Sequence, residues 1–451
     1  MTRILATLAM LLLGLSALPA EAQKAKAKPQ PTGRFLHLSD IHFDPMANAR
    51  LVPALVAAPV DQWELILVRS AKAPPAQMNE DANYALMRSA LTAAAAQRYD
   101  YVLYTGDYLA HDFHDRFKLA GGQEKDYDAF VIKTLQFMNR EMAKAFAPAP
   151  LITSFGNNDT DCEGNYQIDL NDPMLAAVGG ALPEIRRDPQ AMKDFATGGY
   201  YRIVHPTIPG RDFIVMDDLY LSAKYKAECG NKTPNPGATL LAWLEATLKA
   251  ERASGRTATL VLHIPPGIDP FLAAGKPNGS SLFLTVEANT KLLALLTAYA
   301  DVVRDIYAGH THTDEFRIVP DASGKPLLPI RIGPSISPNY LNAPAYSVFD
   351  YVPATGAVRD YATYTLGPVG WTLEYRFGEA YGFDGWTADA LAKINGAMGY
   401  WFVRKQYGNY MMGDPRNNLM AGGNWKLFAC AQVALTDETF NACTAAAPAG
   451  N

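Results

Sequence analysis

Positive charge is scarce for a chain that might bind polyanions: 40 Lys and Arg stand against 45 Asp and Glu, a formal net charge of −5. No global basic field exists to draw in a nucleic-acid duplex or an anionic membrane. Cysteine is scarce as well. The four cysteines, Cys162, Cys229, Cys430 and Cys443, show no Cys-x-x-Cys spacing, which argues against a Cys-only zinc site. Outside residues 4–17 no apolar run is long enough to cross a bilayer, so stable membrane insertion is not expected. No internal repeat is present. Apolar mass, by contrast, is plentiful. With 49% hydrophobic and 11% aromatic residues over 451 positions, the chain can bury a large core, which excludes wholesale disorder.

The apolar run at the start has the layout of an export signal. Arg3 supplies the positive beginning, ILATLAMLLLGLSA the apolar stretch, and Ala20-Glu21-Ala22 the small-x-small cleavage site. No cysteine follows, which argues against a lipoprotein. Residues 23–32, with Pro29 and Pro31, read as a flexible linker. The expected location is periplasmic or secreted. In such a compartment an even cysteine count defaults to disulfides. Cys430 pairs with Cys443 by proximity, and Cys162 with Cys229 by elimination.

One pattern recurs along the chain: a short apolar strand that ends in a metal-ligand type of residue. FLHLS runs into Asp40 and His42, and YVLYT into Gly106-Asp107. LITSF runs into Gly156-Asn157-Asn158-Asp159, TLVL into His263, and VVRDIYA into Gly309-His310-Thr311-His312. A further strand at 213–217 ends in the acid pair Asp217-Asp218. Helical stretches alternate with the strands, at 82–97, 126–146 and 238–252. That alternation predicts an α/β sandwich, in which ligands gather where strand ends meet loops. Residues 327–366 read as strands closing a second sheet. Residues 387–407 and 423–443 read as helices of a C-terminal region, 367–451, packed on a catalytic domain at 33–366. The stretch 45–81 carries few signals and reads as a long connection at the rim of the cleft.

The strand ends gather Asp40, His42, Asp107, Asn157, His263, His310 and His312. Carboxylate, imidazole and amide oxygen suit zinc, iron or manganese. Seven such groups exceed one tetrahedral ion and suit two divalent ions that share a carboxylate. Two ions at about 3.5–4 Å can activate water, orient a phosphate and stabilise an in-line displacement. His310 and His312 share a side of an extended segment. The other histidines read more blandly: His37 as core, His114 as surface, His205 as structural. Asp44, Asp112, Asp159 and Asp161 read as loop braces, and Tyr108 and Tyr340 as packing or cleft lining.

The ordered set DxH, GD, GNND, H and GHTH resembles the calcineurin-like metallophosphoesterase superfamily. LSDIHFDP, YTGDYLAHD, HIPPG, GHTHTDEF, PSISPNYLNAPAYSVFDY and the closing CAQ…C segment are similar to its acid sphingomyelinase-like phosphodiesterase branch, over residues 34–443. The resemblance implies a four-layer αββα sandwich with a helical C-terminal extension. It implies one zinc on Asp40, His42, Asp107 and His312, and a second on Asp107, Asn157, His263 and His310, with Asp107 bridging. It assigns His111 to the substrate phosphate, where a His can protonate the leaving group near neutral pH. Where the family usually has His after the ligand Asn, this chain has Asn158, as endopolyphosphatases do. Asn158 can donate a hydrogen bond to phosphate but cannot act as an acid, so the acid role falls to His111. The expected activity is hydrolysis of phosphodiester or phosphoanhydride bonds by metal-activated water. Soluble nucleotides or small phosphodiesters are the favoured substrates, because residues 23–32 leave no room for a lipid-lifting saposin domain before the first strand and no basic amphipathic helix replaces one. A sphingomyelin phosphodiesterase, a polyphosphate or phosphomonoester phosphatase, and a non-catalytic metal or phosphate binder are the alternatives.

Overall fold

The apolar runs that end in polar residues assemble into two six-stranded sheets. A computed structural model describes residues 32–70, 75–275 and 280–446. The expected signal, residues 1–22, and all but the last residue of the expected linker lie outside the described residues. β1 (Gly33–Leu38), β2 (Tyr101–Tyr104) and β3 (Leu151–Thr153) run parallel in the first sheet. β4 (Tyr201–Val204), β5 (Arg211–Val215), β6 (Thr257–Val261), β7 (Val303–Ala308), β8 (Glu315–Pro320) and β9 (Pro326–Ile332) form the second. Its spatial order is β4-β5-β6-β7-β9-β8, parallel from β5 to β9 with antiparallel edges. β10 (Ala345–Tyr351), β11 (Val358–Gly367) and β12 (Gly370–Arg376) then return to the first sheet, which reads β12-β11-β10-β1-β2-β3.

The sheets meet face to face through aromatic side chains. The Phe35 ring of β1 meets Tyr307 of β7 edge-on at 5.5 Å, and Tyr101 of β2 meets Phe213 of β5 at 5.3 Å. Helices add their buried faces to the same core: Tyr84–Ala94 and Tyr127–Phe146 follow the strands of the first sheet, Pro236–Ala253 and Val286–Ala298 those of the second. The architecture is the α/β sandwich expected. Among the described residues no helix is long and apolar enough to cross a membrane.

Two local expectations need correction. Residues 327–366 do not together close the second sheet. β9 does, but β10 pairs antiparallel with β1, where Phe349 stacks on Phe35 at 4.7 Å and on Tyr361 of β11 at 5.0 Å. These stacked rings favour the first sheet for β10 and β11, which then runs on past residue 366 through β12. The weakly patterned stretch 45–81 is partly helical, at Val52–Ala57 and Trp63–Leu67, pinned by the buried Trp63 whose indole donates to the Leu55 carbonyl at 3.0 Å. Residues 387–407 and 423–443 are helical as expected, each as two helices: Ala388–Gly396 and Trp401–Met412, then Trp425–Ala431 and Asp437–Ala446.

Both expected disulfides are present, Cys162–Cys229 and Cys430–Cys443. The second ties helix Trp425–Ala431 to helix Asp437–Ala446. The C-terminal helices reach the strand-end loops: the carbonyls of Met411 and Met412 accept from the amides of Asp314 and Ala343.

Candidate active site

All five ligand-bearing loops leave the carboxyl ends of parallel strands, β1, β2 and β3 of one sheet and β6 and β7 of the other. Face-to-face sheets therefore bring sequence-distant strand ends to one place. Backbone bonds lash the loops together. Asp40 N donates to Gly106 O and His42 N to Asp107 O, each at 3.0 Å, and Gly309 N donates to His263 O at 3.0 Å. The glycines are needed for this closeness. A Cβ on Gly156 would fall on Asp107 Oδ1, and one on Gly309 would fall on Ser39 Oγ.

The loops turn sharply as well. Asp40, His42, Asp107, His310 and His312 all adopt positive φ, between 46° and 75°. Such backbone costs a non-glycine residue about 1–3 kcal/mol and persists only where the surroundings impose it. Five residues of one constellation share it, and each is thereby aimed inward.

Around Asp107 the side chains converge. Its Oδ2 lies 3.3 Å from His42 Nε2 and 3.2 Å from His263 Nε2. His42 Nε2 is 2.9 Å from His312 Nε2, which is 3.6 Å from Asp40 Oδ1. His263 Nε2 is 3.2 Å from Asn157 Oδ1, and the His310 ring centres 5.1 Å from the His263 ring. Two overlapping groups result, Asp40, His42, Asp107 and His312, and Asp107, His263 and His310, with Asp107 common to both.

Donor chemistry shows what fits there. The Nδ1 of His42 faces the Leu109 carbonyl at 2.9 Å, and the Nδ1 of His263 faces the Thr105 carbonyl at 2.7 Å. A carbonyl only accepts, so each Nδ1 donates and each ring turns its Nε2 inward, as a lone pair whenever the ring is neutral. Those lone pairs meet a carboxylate, an amide oxygen and another imidazole. Acceptor faces acceptor in a buried place, an arrangement that cations satisfy. The same field moves protons. Burial outweighs the pull of His263 and, with the Asp107 charge, pushes Asp40 up to about 7. Burial opposes a charge on His263, yet Asp107 raises it to about 10, so the carboxylate calls for a positive charge at Nε2, which a proton or a metal ion can supply. The residues fit a pair of divalent ions.

His111 stands at the edge of this cluster, its ring stacked on His42 at 4.0 Å. Asp81 holds it from two sides: the His111 amide donates to Asp81 Oδ2 at 2.8 Å, and Nδ1 lies 2.9 Å from Asp81 Oδ1. Nε2 is left toward the mouth, 3.4 Å from the Tyr340 hydroxyl. Burial would lower its pKa, but Asp81 more than offsets this and raises it. Arg116 completes the brace, donating to the His111 carbonyl at 2.7 Å and pairing with Asp44 and Asp81. Sequence reasoning missed Asp81, which lies in the patternless stretch before helix Tyr84–Ala94, and it missed Asn339, whose amide reaches Asp81 Oδ1 at 3.1 Å. Asp81 sits in no motif; Asn339 lies inside PSISPNYLNAPAYSVFDY, where only Tyr340 is singled out from the sequence.

Asn158 faces inward but is engaged by Asp107: its amide N donates to Oδ1 at 2.8 Å and its Nδ2 to Oδ2 at 3.0 Å. In this geometry it orients the shared carboxylate. Asp159 braces the loops by accepting from the amides of Tyr108, Leu109 and Gly156. Asp218 accepts from the amides of His263 and Ile264. His37 and His205 are buried as expected. His114 is not a surface residue: it is 4% exposed, with Nε2 3.0 Å from both Glu124 oxygens and Tyr127 against its ring. Tyr108 is core, whereas Tyr340 overhangs His111 and His312.

A sandwich with this cluster at its strand ends defines the class of metal-dependent phosphoester hydrolases. The chain belongs to the calcineurin-like phosphoesterase family, whose model matches residues 33–314. That family works with a dinuclear metal site. Among curated relatives, the acid sphingomyelinase-like phosphodiesterase 3b of Homo sapiens is 24% identical over 396 residues, covering 82% of this chain and 80% of that protein. The cyclic GMP-AMP phosphodiesterase SMPDL3A of Mus musculus is 26% identical over 385 residues, with 82% and 80% covered. A solved dimetal phosphatase from Danio rerio aligns over 76% of this chain and 98% of its own, at a TM-score of 0.43 and 13% identity.

Proposed function

We propose that this chain is an exported phosphodiesterase with a dinuclear zinc site, acting on soluble nucleotides or other small phosphodiesters. The carrying observation is the set of inward lone pairs around Asp107 with the Asp81-held His111 at its edge. Asp40, His42, Asp107 and His312 would hold one ion, and Asp107, Asn157, His263 and His310 the other. Bound there, the ions would polarise a phosphoryl oxygen and lower the pKa of water.

The chain's own residues supply the rest. Burial of the ligands keeps bulk water from diluting their field. Asn158 fixes the shared carboxylate through two bonds. His111 presents Nε2 to the mouth, with Asp81 on Nδ1 fixing its orientation and favouring the protonated ring. That ring can hand its Nε2 proton to the departing oxygen, the role for which an acid is otherwise lacking because Asn158 cannot serve. Phosphodiesters are favoured by the names of the relatives, a sphingomyelinase-like and a cyclic GMP-AMP phosphodiesterase. Export is supported by the apolar start of the sequence and by two disulfides.

The test is turnover by purified, zinc-loaded protein of a panel: sphingomyelin, a nucleoside triphosphate, a cyclic dinucleotide, polyphosphate and an aryl monoester. Turnover of nucleotide substrates with loss of both metal and activity in Asp107→Asn is expected. Preference for sphingomyelin or polyphosphate would replace the substrate reading. Full metal occupancy without turnover of any phosphoester would make the chain a binder.

A further inference from the structure

Lys224 stands beside the candidate site with no ion pair among the described residues. Its Nζ lies 5.4 Å over the ring of Tyr166. Tyr166 in turn meets His310 edge-on at 6.3 Å, and Phe283 meets His310 from another side at 5.2 Å. The ammonium is thus two ring contacts from a candidate metal ligand. Burial raises the pKa of Asp269 and Lys224 opposes this, but Asp269 Oδ1 already accepts from the amides of Phe271 and Leu272.

The loop that carries Lys224 is held in place. Lys224 N donates to Ser222 Oγ at 3.1 Å, Ala223 N to Phe283 O at 2.9 Å, and Lys226 N to Tyr166 O at 3.0 Å. Tyr166 N donates to the Asn157 carbonyl at 2.8 Å, and Cys162–Cys229 joins the two loops covalently. A flexible, exposed lysine without a carboxylate has little reason to stand at this spot for stability. It places a positive charge at the cleft edge of a chain of net negative charge.

Resting on the phosphodiester reading above, we propose that Lys224 selects substrates by charge: at the His310 edge it binds a second anionic group and turns away a cationic one. The face of Tyr166 is the seat a quaternary ammonium takes on an aromatic ring. Here the lysine's own ammonium lies over that ring. A phosphocholine-type diester meets a like charge on its natural platform, while a phosphoester with a further phosphate gains a charge-assisted hydrogen bond.

Three probes test this with the zinc-loaded full chain: p-nitrophenyl phosphocholine, bis(p-nitrophenyl) phosphate and a nucleoside triphosphate. Lys224 is exposed, so its replacement leaves the core intact. Lys224→Gln is expected to lower kcat/KM for the triphosphate about tenfold relative to the bis-aryl diester, chiefly through KM. The same variant is expected to raise the phosphocholine ester relative to the bis-aryl diester. Lys224→Arg is expected to keep the wild-type ratios. Ratios that do not move in Lys224→Gln overturn the inference. Failure of the wild type to turn over any probe overturns the phosphodiester reading itself, and this inference with it.

Discussion

The Nε2 atoms of His42 and His312 face each other at 2.9 Å, buried from solvent. His42 donates from Nδ1 to the Leu109 carbonyl, so its Nε2 brings a lone pair, and His312 Nδ1 finds no partner of its own. A cation bound between the rings, with Asp40 and Asp107 beside it, would take both Nε2 lone pairs at once. A ligand that binds only the folded state stabilises it by about 2.7 kcal/mol at a hundredfold excess over Kd. Added zinc is therefore expected to raise the melting temperature, and a chelator to lower it. Asp107→Asn is expected to abolish the response. A melting temperature indifferent to zinc and chelator would count against the metal site.

Asp81 is expected to act through His111. It takes both the amide and Nδ1 of that residue, and its other partners, Arg116, Ser337 and Asn339, are not candidate metal ligands. Asp81→Asn should lower kcat by about a hundredfold with little change in KM. The loss should be large for an alkyl leaving group, which needs a proton, and small for p-nitrophenolate, which does not. Equal losses for both leaving groups would reduce Asp81 to a structural brace.

Much of this site was legible in the sequence because its ligands are short polar residues that close apolar runs, and such breaks stand out. Asp107 could be singled out because Gly106 precedes it at the end of YVLYT. The ordering of the two sheets was less legible: the side-chain period of β10 and β11 fits either sheet, and what decides is stacking of Phe349 on Phe35, more than three hundred residues earlier in the chain. The five positive-φ ligands left no trace, since Asp and His carry no mark of their backbone. Asp81 was hidden for the opposite reason: it sits among irregular backbone, and its partners come from the β2 loop and from Ser337 and Asn339, all distant in sequence. His114 looked exposed because its helix is short, but Tyr127 covers it.

His205 is expected to make the fold acid-sensitive. Its Nδ1 accepts from the amides of Thr207 and Ile208 at 3.2 and 3.1 Å, and its ring stacks on Phe213 at 4.4 Å. Burial, with Arg211 adding to it, lowers its pKa from 6.5 to about 3. The folded state thus prefers the neutral ring. Its contribution is complete above pH 6.5 and is lost as pH falls from there toward 3, at most about 5 kcal/mol. His205→Asn keeps an acceptor for the two amides and removes the titration. A thermal-melt series from pH 7 to 4 should show a shallower decline for the variant. Parallel declines would assign the acid sensitivity to other groups.

The two disulfides should differ in what they protect. Cys162–Cys229 closes a separation of 67 residues and Cys430–Cys443 one of 13. Chain entropy alone gives roughly 4 against 3 kcal/mol, a modest difference in stability. Position separates them further. Cys162 follows the loop of Asn157 and Cys229 follows that of Lys224, so this bond holds one wall of the cleft. The other bond joins two C-terminal helices that carry no candidate ligand. Replacing Cys162 and Cys229 together by Ser should therefore lower kcat/KM at temperatures well below the melt, because Asn157 and Tyr166 lose their tether. Replacing Cys430 and Cys443 should lower the melting temperature while leaving turnover of the remaining folded protein near wild type. Measuring both variants at a temperature where each is fully folded isolates the effect. Unimpaired turnover without Cys162–Cys229 would mean that the hydrogen bonds from Tyr166 and Lys226 suffice to hold the wall.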